Sequence, residues 1–142
     1  MKENWILFIG GIYKESSMLD STAISPASNR WQKGFIGGLE NQGLNAIILS
    51  HYPEVIWPRG KLRPGNSNDL DLNFKSYMVQ YWNMLFVRSR SLKSAYMEGF
   101  KSVVEKYGKP LMVLSYNPYS FSVSVGTYAQ SKHKIPWIDI CA

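Results

Sequence analysis

Five consecutive apolar residues, Trp5-Ile6-Leu7-Phe8-Ile9, run directly into Gly10-Gly11 near the start of the chain. A strand with one wet face alternates apolar and polar residues. A run that is apolar at every position suits a strand covered on both faces, which is the habit of parallel sheets. Shorter apolar runs at residues 46–49, 111–114 and 136–141 repeat the theme, with a partly alternating run at 74–82. Each predicts a strand.

The segments between them carry helical signals. Ser25-Pro26 predicts an N-cap followed by proline in the first turn. Trp31, Phe35, Ile36 and Leu39 recur at helical spacing, and Gly43 supplies a left-handed stop. Gly37 and Gly38 sit inside that helix, which predicts close packing on a strand or a poorly formed last turn. Leu92, Tyr96, Phe100, Val103 and Tyr107 mark a second helix ended by Gly108 and Pro110, and Phe121, Val125 and Tyr128 mark a third. Residues 12–24 are polar and Ser-rich and predict a long mobile loop, and residues 54–72 predict an irregular excursion rich in Pro, Gly, Asn and Asp. The order β-α-β-β-α-β-α-β predicts one Rossmann-like α/β/α domain over residues 1–142, with a mainly parallel sheet of about five strands.

Composition narrows the function classes. The 142 residues suit one domain, and a hydrophobic fraction of 45% with 18% charged residues predicts a folded core. No apolar run approaches the ~20 residues that cross a bilayer, and the first apolar run is too short for a signal peptide, so a cytoplasmic location is expected. One cysteine, Cys141, excludes an internal disulfide, and with only His51 and His133 beside it no zinc site is expected. The net charge of +6 is spread along the chain, with tight groups only at Arg59, Lys61, Arg63 and at Arg88, Arg90, Lys93. No basic arm for nucleic acid is present.

Ligands of open α/β sheets bind beyond the carboxyl ends of the strands. That rule selects Gly10-Gly11, Ser50-His51, Ser115-Tyr116-Asn117 and whatever follows Cys141. Gly10 and Gly11 would let backbone N–H groups approach a phosphate or sugar hydroxyl, or would simply make the turn. Asn29, Arg30 and Lys33 would present a positive, hydrogen-bonding edge to an anionic substrate, or a solvated surface. His51 is placed to act as a base or to bond a sugar hydroxyl. Tyr116-Asn117 combines an aromatic face with an amide, which suits carbohydrate, and would equally make an ordinary turn into a helix. His133, beside Lys132 and Lys134 at a helix end, reads as structural. No P-loop, no complete dinucleotide fingerprint, no catalytic triad and no carboxylate pair for glycoside hydrolysis can be assigned.

Taken in order, Ile6-Leu7-Phe8-Ile9-Gly10-Gly11, Asn29-Arg30-Trp31-Gln32-Lys33-Gly34-Phe35, Leu39-Glu40-Asn41-Gln42-Gly43, Ile47-Ile48-Leu49-Ser50, Val113-Leu114-Ser115-Tyr116-Asn117-Pro118 and Lys134-Ile135-Pro136-Trp137-Ile138-Asp139 resemble the N-terminal, acceptor-side domain of family-4 type, retaining GT-B glycosyltransferases. The resemblance runs loosely along nearly the whole chain. It implies transfer of a hexose from a nucleotide sugar to a hydroxyl acceptor, with Gly10 and Gly11 facing the donor phosphates, Asn29, Arg30 and Lys33 bordering the acceptor, and Tyr116-Asn117 lining the cleft. It further implies a carbohydrate or lipid-linked acceptor, with peripheral contact at the inner face of a membrane. The chain departs from the family in lacking the donor domain with its paired glutamates, and in placing Ala142 where the family often has a histidine. A fragment that is inactive alone is therefore expected, with no cofactor beyond the nucleotide sugar of the intact enzyme. Two other readings stand beside it: a non-catalytic module that forms a homodimer or pairs through an incomplete sheet edge, and a small flavodoxin-like nucleotide-binding enzyme.

Overall fold

Every residue of β1 (Trp5–Ile9) is buried, because both of its faces are covered. Trp5, Leu7 and Ile9 point to one side, where they join Ile47, Leu49, Tyr96, Phe100 and Val125. Ile6 and Phe8 point to the other, against Ile36, Ile48 and Leu114. The computed structural model describes residues 4–14, 24–65, 69–71 and 73–141.

β1 pairs in parallel with β2 (Asn45–Ser50) on one flank and with β4 (Val113–Tyr116) on the other. β3 (Ser76–Met78) extends the sheet beyond β2, and β5 (Trp137–Ile140) extends it beyond β4. All five strands lie in one sheet of order β3-β2-β1-β4-β5, every neighbouring pair parallel. Helix α1 (Pro26–Asn41) covers one face, while α2 (Arg88–Tyr107) and α3 (Ser120–His133) cover the other. This is the α/β, Rossmann-like architecture that the strand and helix pattern predicts.

The helix ends follow from local chemistry. Ser25 caps α1, its Oγ accepting from Ser28 N at 3.3 Å, and Pro26 fills the first turn. Gly43, at φ +88°, turns the chain out of the helix, and its N–H returns to Glu40 O at 3.1 Å. Gly108 ends α2 in a similar way at φ +87°, whereas α3 ends on Lys134, a left-handed residue that is not glycine. Gly37 and Gly38 differ from expectation. α1 runs unbroken through both to Asn41, and an added Cβ at either would meet nothing within 4 Å.

β3 is shorter than the run at 74–82 predicts. β2 ends at Ser50, so its last carbonyl receives Val79 N at 2.7 Å and nothing remains for later residues to pair with. The chain instead sends Tyr81 into the core, fully buried. Before the strand, Asp71 turns the chain by accepting from Asn73 N at 3.0 Å. The polar loop after β1 also departs from expectation at both described ends. Ile12, Tyr13 and Ile24 are buried, and Tyr13 bridges Leu70. Residues 15–23 lie outside the described residues, as does Ala142.

Candidate functional site

The strand order reverses at β1: β2 and β3 lie to one side, β4 and β5 to the other. The loops leaving β1 and β4 therefore diverge to opposite faces and leave a crevice between them. In this chain the crevice is a cleft of about 1160 Å³. Gly10-Gly11, His51 and Tyr116-Asn117, which follow β1, β2 and β4, all line it. Its walls include residues at the starts of α1, α2 and α3, namely Ser25, Ala27 and Ser28, Arg88 and Ser89, and Ser120 and Phe121.

Glycine is required at the floor by space. A Cβ on Gly10 would lie 2.3 Å from Gln32 Oε1 and 2.5 Å from the Phe8 ring, and one on Gly11 would strike the Tyr13 ring. The turn is then fastened to α1 by two buried amides. Gly11 N donates to Gln32 Oε1 at 2.9 Å. Tyr13 N donates to Asn29 Oδ1 at 2.9 Å, while Asn29 Nδ2 donates to Tyr13 O at 3.2 Å. Asn29 and Gln32 are three residues apart and so share the inward face of α1. Asn29 lines the cleft through this clamp. Arg30 is exposed, and Lys33 forms an ion pair with Asp71 at 3.1 Å; neither is among the lining residues.

His51 stands at the centre of an aromatic nest. Its ring meets Phe121, Tyr96 and Tyr81 edge-on, with centroids 5.1, 5.6 and 5.5 Å away. Burial, helped by the Arg88 charge, pulls its pKa down to about 4, so the imidazole is neutral at physiological pH. Nδ1 lies 2.7 Å from Tyr96 Oη. Burial pushes the Tyr96 phenol well up, so that hydroxyl keeps its proton and is able to donate to Nδ1. Tyr13, also pushed up by burial, donates its hydroxyl proton to the His51 carbonyl and holds the backbone in place.

Flat aromatic faces complete the lining. Trp31 stacks on Phe35 at 5.1 Å and tilts toward Tyr116 at 5.4 Å. Tyr119 stacks on Phe121 at 5.4 Å, and Phe121 on Tyr96 at 4.3 Å. Among the described lining residues there is no carboxylate, and Arg88 is the permanent cation. None of the three helices has an acidic residue in its first turn, and α2 and α3 receive no side-chain cap. The positive ends of their dipoles make the cleft favourable to electron-rich groups. Such a lining can bind hydroxyls, rings and anionic oxygens, but offers no carboxylate pair for hydrolysis. Among the described residues, no three His, Cys, Asp or Glu side chains are placed to hold a metal ion.

Sequence reasoning missed Tyr13, Gln32, Arg88, Tyr96 and Phe121 as lining residues. Gln32 carried a signal, its helical spacing from Asn29; Tyr96 and Phe121 lay on helix stripes that read as core. No protein-family model, no curated protein and no solved structure matches the chain.

Proposed function

We propose that this domain is the acceptor-side half of a two-domain GT-B glycosyltransferase. Its cleft takes a hydroxyl-bearing carbohydrate or lipid-linked acceptor, and a separate domain supplies the nucleotide-sugar site. The observation that carries the reading is the gathering of Gly10-Gly11, His51 and Tyr116-Asn117 around one aromatic, carboxylate-free cleft. Aromatic faces suit the apolar faces of sugar rings, and the neutral His51 and the Asn117 amide suit their hydroxyls. In this reading Gly10 and Gly11 face the donor phosphates across the opening.

Titration of the isotope-labelled chain with octyl glucoside and with UDP-glucose, followed by amide NMR, tests this. Octyl glucoside is expected to shift Gly11, His51 and Asn117 with weak, roughly millimolar affinity. UDP-glucose alone is expected to bind no more tightly. Submicromolar binding of UDP-glucose, or glycoside shifts confined to surfaces away from the cleft, would overturn the reading. The reading as a pairing module draws on the exposed edge β5, where Ile138 is 49% accessible. It requires a stable dimer in sedimentation velocity that an Ile138→Lys substitution dissolves.

A further inference from the structure

Buried apolar area stabilises a fold, and exposed apolar area does not. It is therefore notable where this chain leaves large apolar residues outside. Trp82, Met84, Leu85, Phe86 and Val87 follow one another around the buried Asn83, and they are 46, 37, 60, 95 and 41% accessible. Phe86 is the extreme case, nearly as exposed as in an open chain. Its backbone also sits at φ +71°, a conformation that a bulky side chain rarely adopts. The turn is held by Val87 N and Arg88 N, which both donate to Met84 O, at 3.2 and 2.9 Å, and strain of this kind concentrates where a surface is used.

A second segment is fastened beside the first. Asn83 Nδ2 donates to Val55 O at 2.6 Å and to Lys61 O at 2.9 Å. Asn83 N donates to Leu62 O at 2.8 Å, and Asn83 O accepts from Trp57 N at 3.0 Å. This brings Val55 and Trp57, 41 and 46% accessible, alongside the first group. It also brings Arg63 to the depression that Arg90 lines. The Arg63 guanidinium lies 4.4 Å over the Trp82 ring, and Arg63, Trp82, Val87 and Arg90 line one shallow depression, in which Glu98 is the one acidic residue. Residues 55–63 and 82–93 contain six Lys or Arg and no Asp or Glu.

We propose that this face docks on an anionic lipid surface. Leu85 and Phe86 insert at the headgroup boundary, Trp57 and Trp82 lie at its level, and the surrounding arginines and lysines meet lipid phosphates. An exposed apolar tip flanked in sequence by cations, with indoles beside it, is the combination that holds peripheral proteins on charged bilayers. The complementary shape is a soft, flat, negative surface. Phe86, Ile56 and Arg88 also line the cleft, so docking sets the cleft mouth at the bilayer. The docking assigns residues to the membrane contact that the resemblance implies, and it rests on the exposed apolar and basic side chains rather than on the acceptor reading.

Co-sedimentation with vesicles tests the proposal, using phosphatidylcholine alone and phosphatidylcholine mixed with phosphatidylglycerol, neither containing any glycan. The chain is expected to partition to the mixed vesicles, and to do so less as salt rises. The doubly substituted Leu85→Ser, Phe86→Ser chain is expected to bind at least about tenfold more weakly. The fourfold variant Arg59→Glu, Lys61→Glu, Arg90→Glu, Lys93→Glu is expected to lose the preference for phosphatidylglycerol. All these residues are exposed, and an unchanged circular dichroism melt will show that the variants fold. Equal partition to both vesicle types, absence of partition, or partition unaffected by the serine pair overturns the proposal. So does a dimer in sedimentation velocity that the serine pair abolishes, which would assign the face to a second copy. Because the vesicles carry no sugar, failure here leaves the glycoside titration unaffected.

Discussion

Asn29 and Gln32 are polar residues on the buried side of a helix, and each is spent on backbone rather than on ligand. Removing the Gln32 amide leaves the Gly11 N–H buried without an acceptor, which costs about 1–3 kcal/mol. Gln32→Ala is therefore expected to lower the urea midpoint and to speed hydrogen exchange at Gly11 while the strands stay protected. His51 makes a pH prediction. Its pKa of about 4 in the fold lies below the ordinary value near 6.5 of the unfolded chain. Between those values the unfolded state binds more protons, so stability is complete above about pH 6.5 and is lost as pH falls toward 4. The loss is on the order of 2–3 kcal/mol. Urea denaturation from pH 4 to 7 is expected to show this slope, and His51→Gln is expected to flatten it.

At the scale of elements, α1 carries avoidable instability. Gly37 and Gly38 are helical, have no positive φ, and have open space where a Cβ would stand. Each change to alanine is expected to raise stability by about 0.5–1 kcal/mol, visible as a higher melting temperature. The close packing that the glycine pair suggests occurs instead at Gly126, where an added Cβ would lie 2.3 Å from the Trp137 ring. The contrast shows what sequence can disclose. Ser25-Pro26, Gly43 and Gly108 mark helix ends because caps act within a few residues, and the stripe Leu92, Tyr96, Phe100, Val103 marks a buried face because periodicity is local. The length of β3 was not legible, because it depends on where β2 stops. Whether a helical glycine touches a neighbour depends on which neighbour the sheet brings near, and no spacing records that.

For the whole molecule, the switch in strand order at β1 does most to create the site. It places residues from three separated loops on one rim, which is why Gly10, Gly11, His51, Tyr116 and Asn117 could be selected from strand ends alone. The opposite wall was not legible, since Arg88, Tyr96 and Phe121 reach it only once α2 and α3 pack on the same face. The glycoside titration should therefore perturb amides on loops that are distant in sequence, and a ligand held by one loop alone would not. One further consequence follows from Asn83. Its carboxamide reaches Lys61 O, 22 positions earlier in the chain, and helps to present two stretches of surface together. With the backbone bonds Asn83 N to Leu62 O and Trp57 N to Asn83 O beside it, the join is made by groups that point inward, so exchanging an outward side chain such as Leu85 leaves it intact.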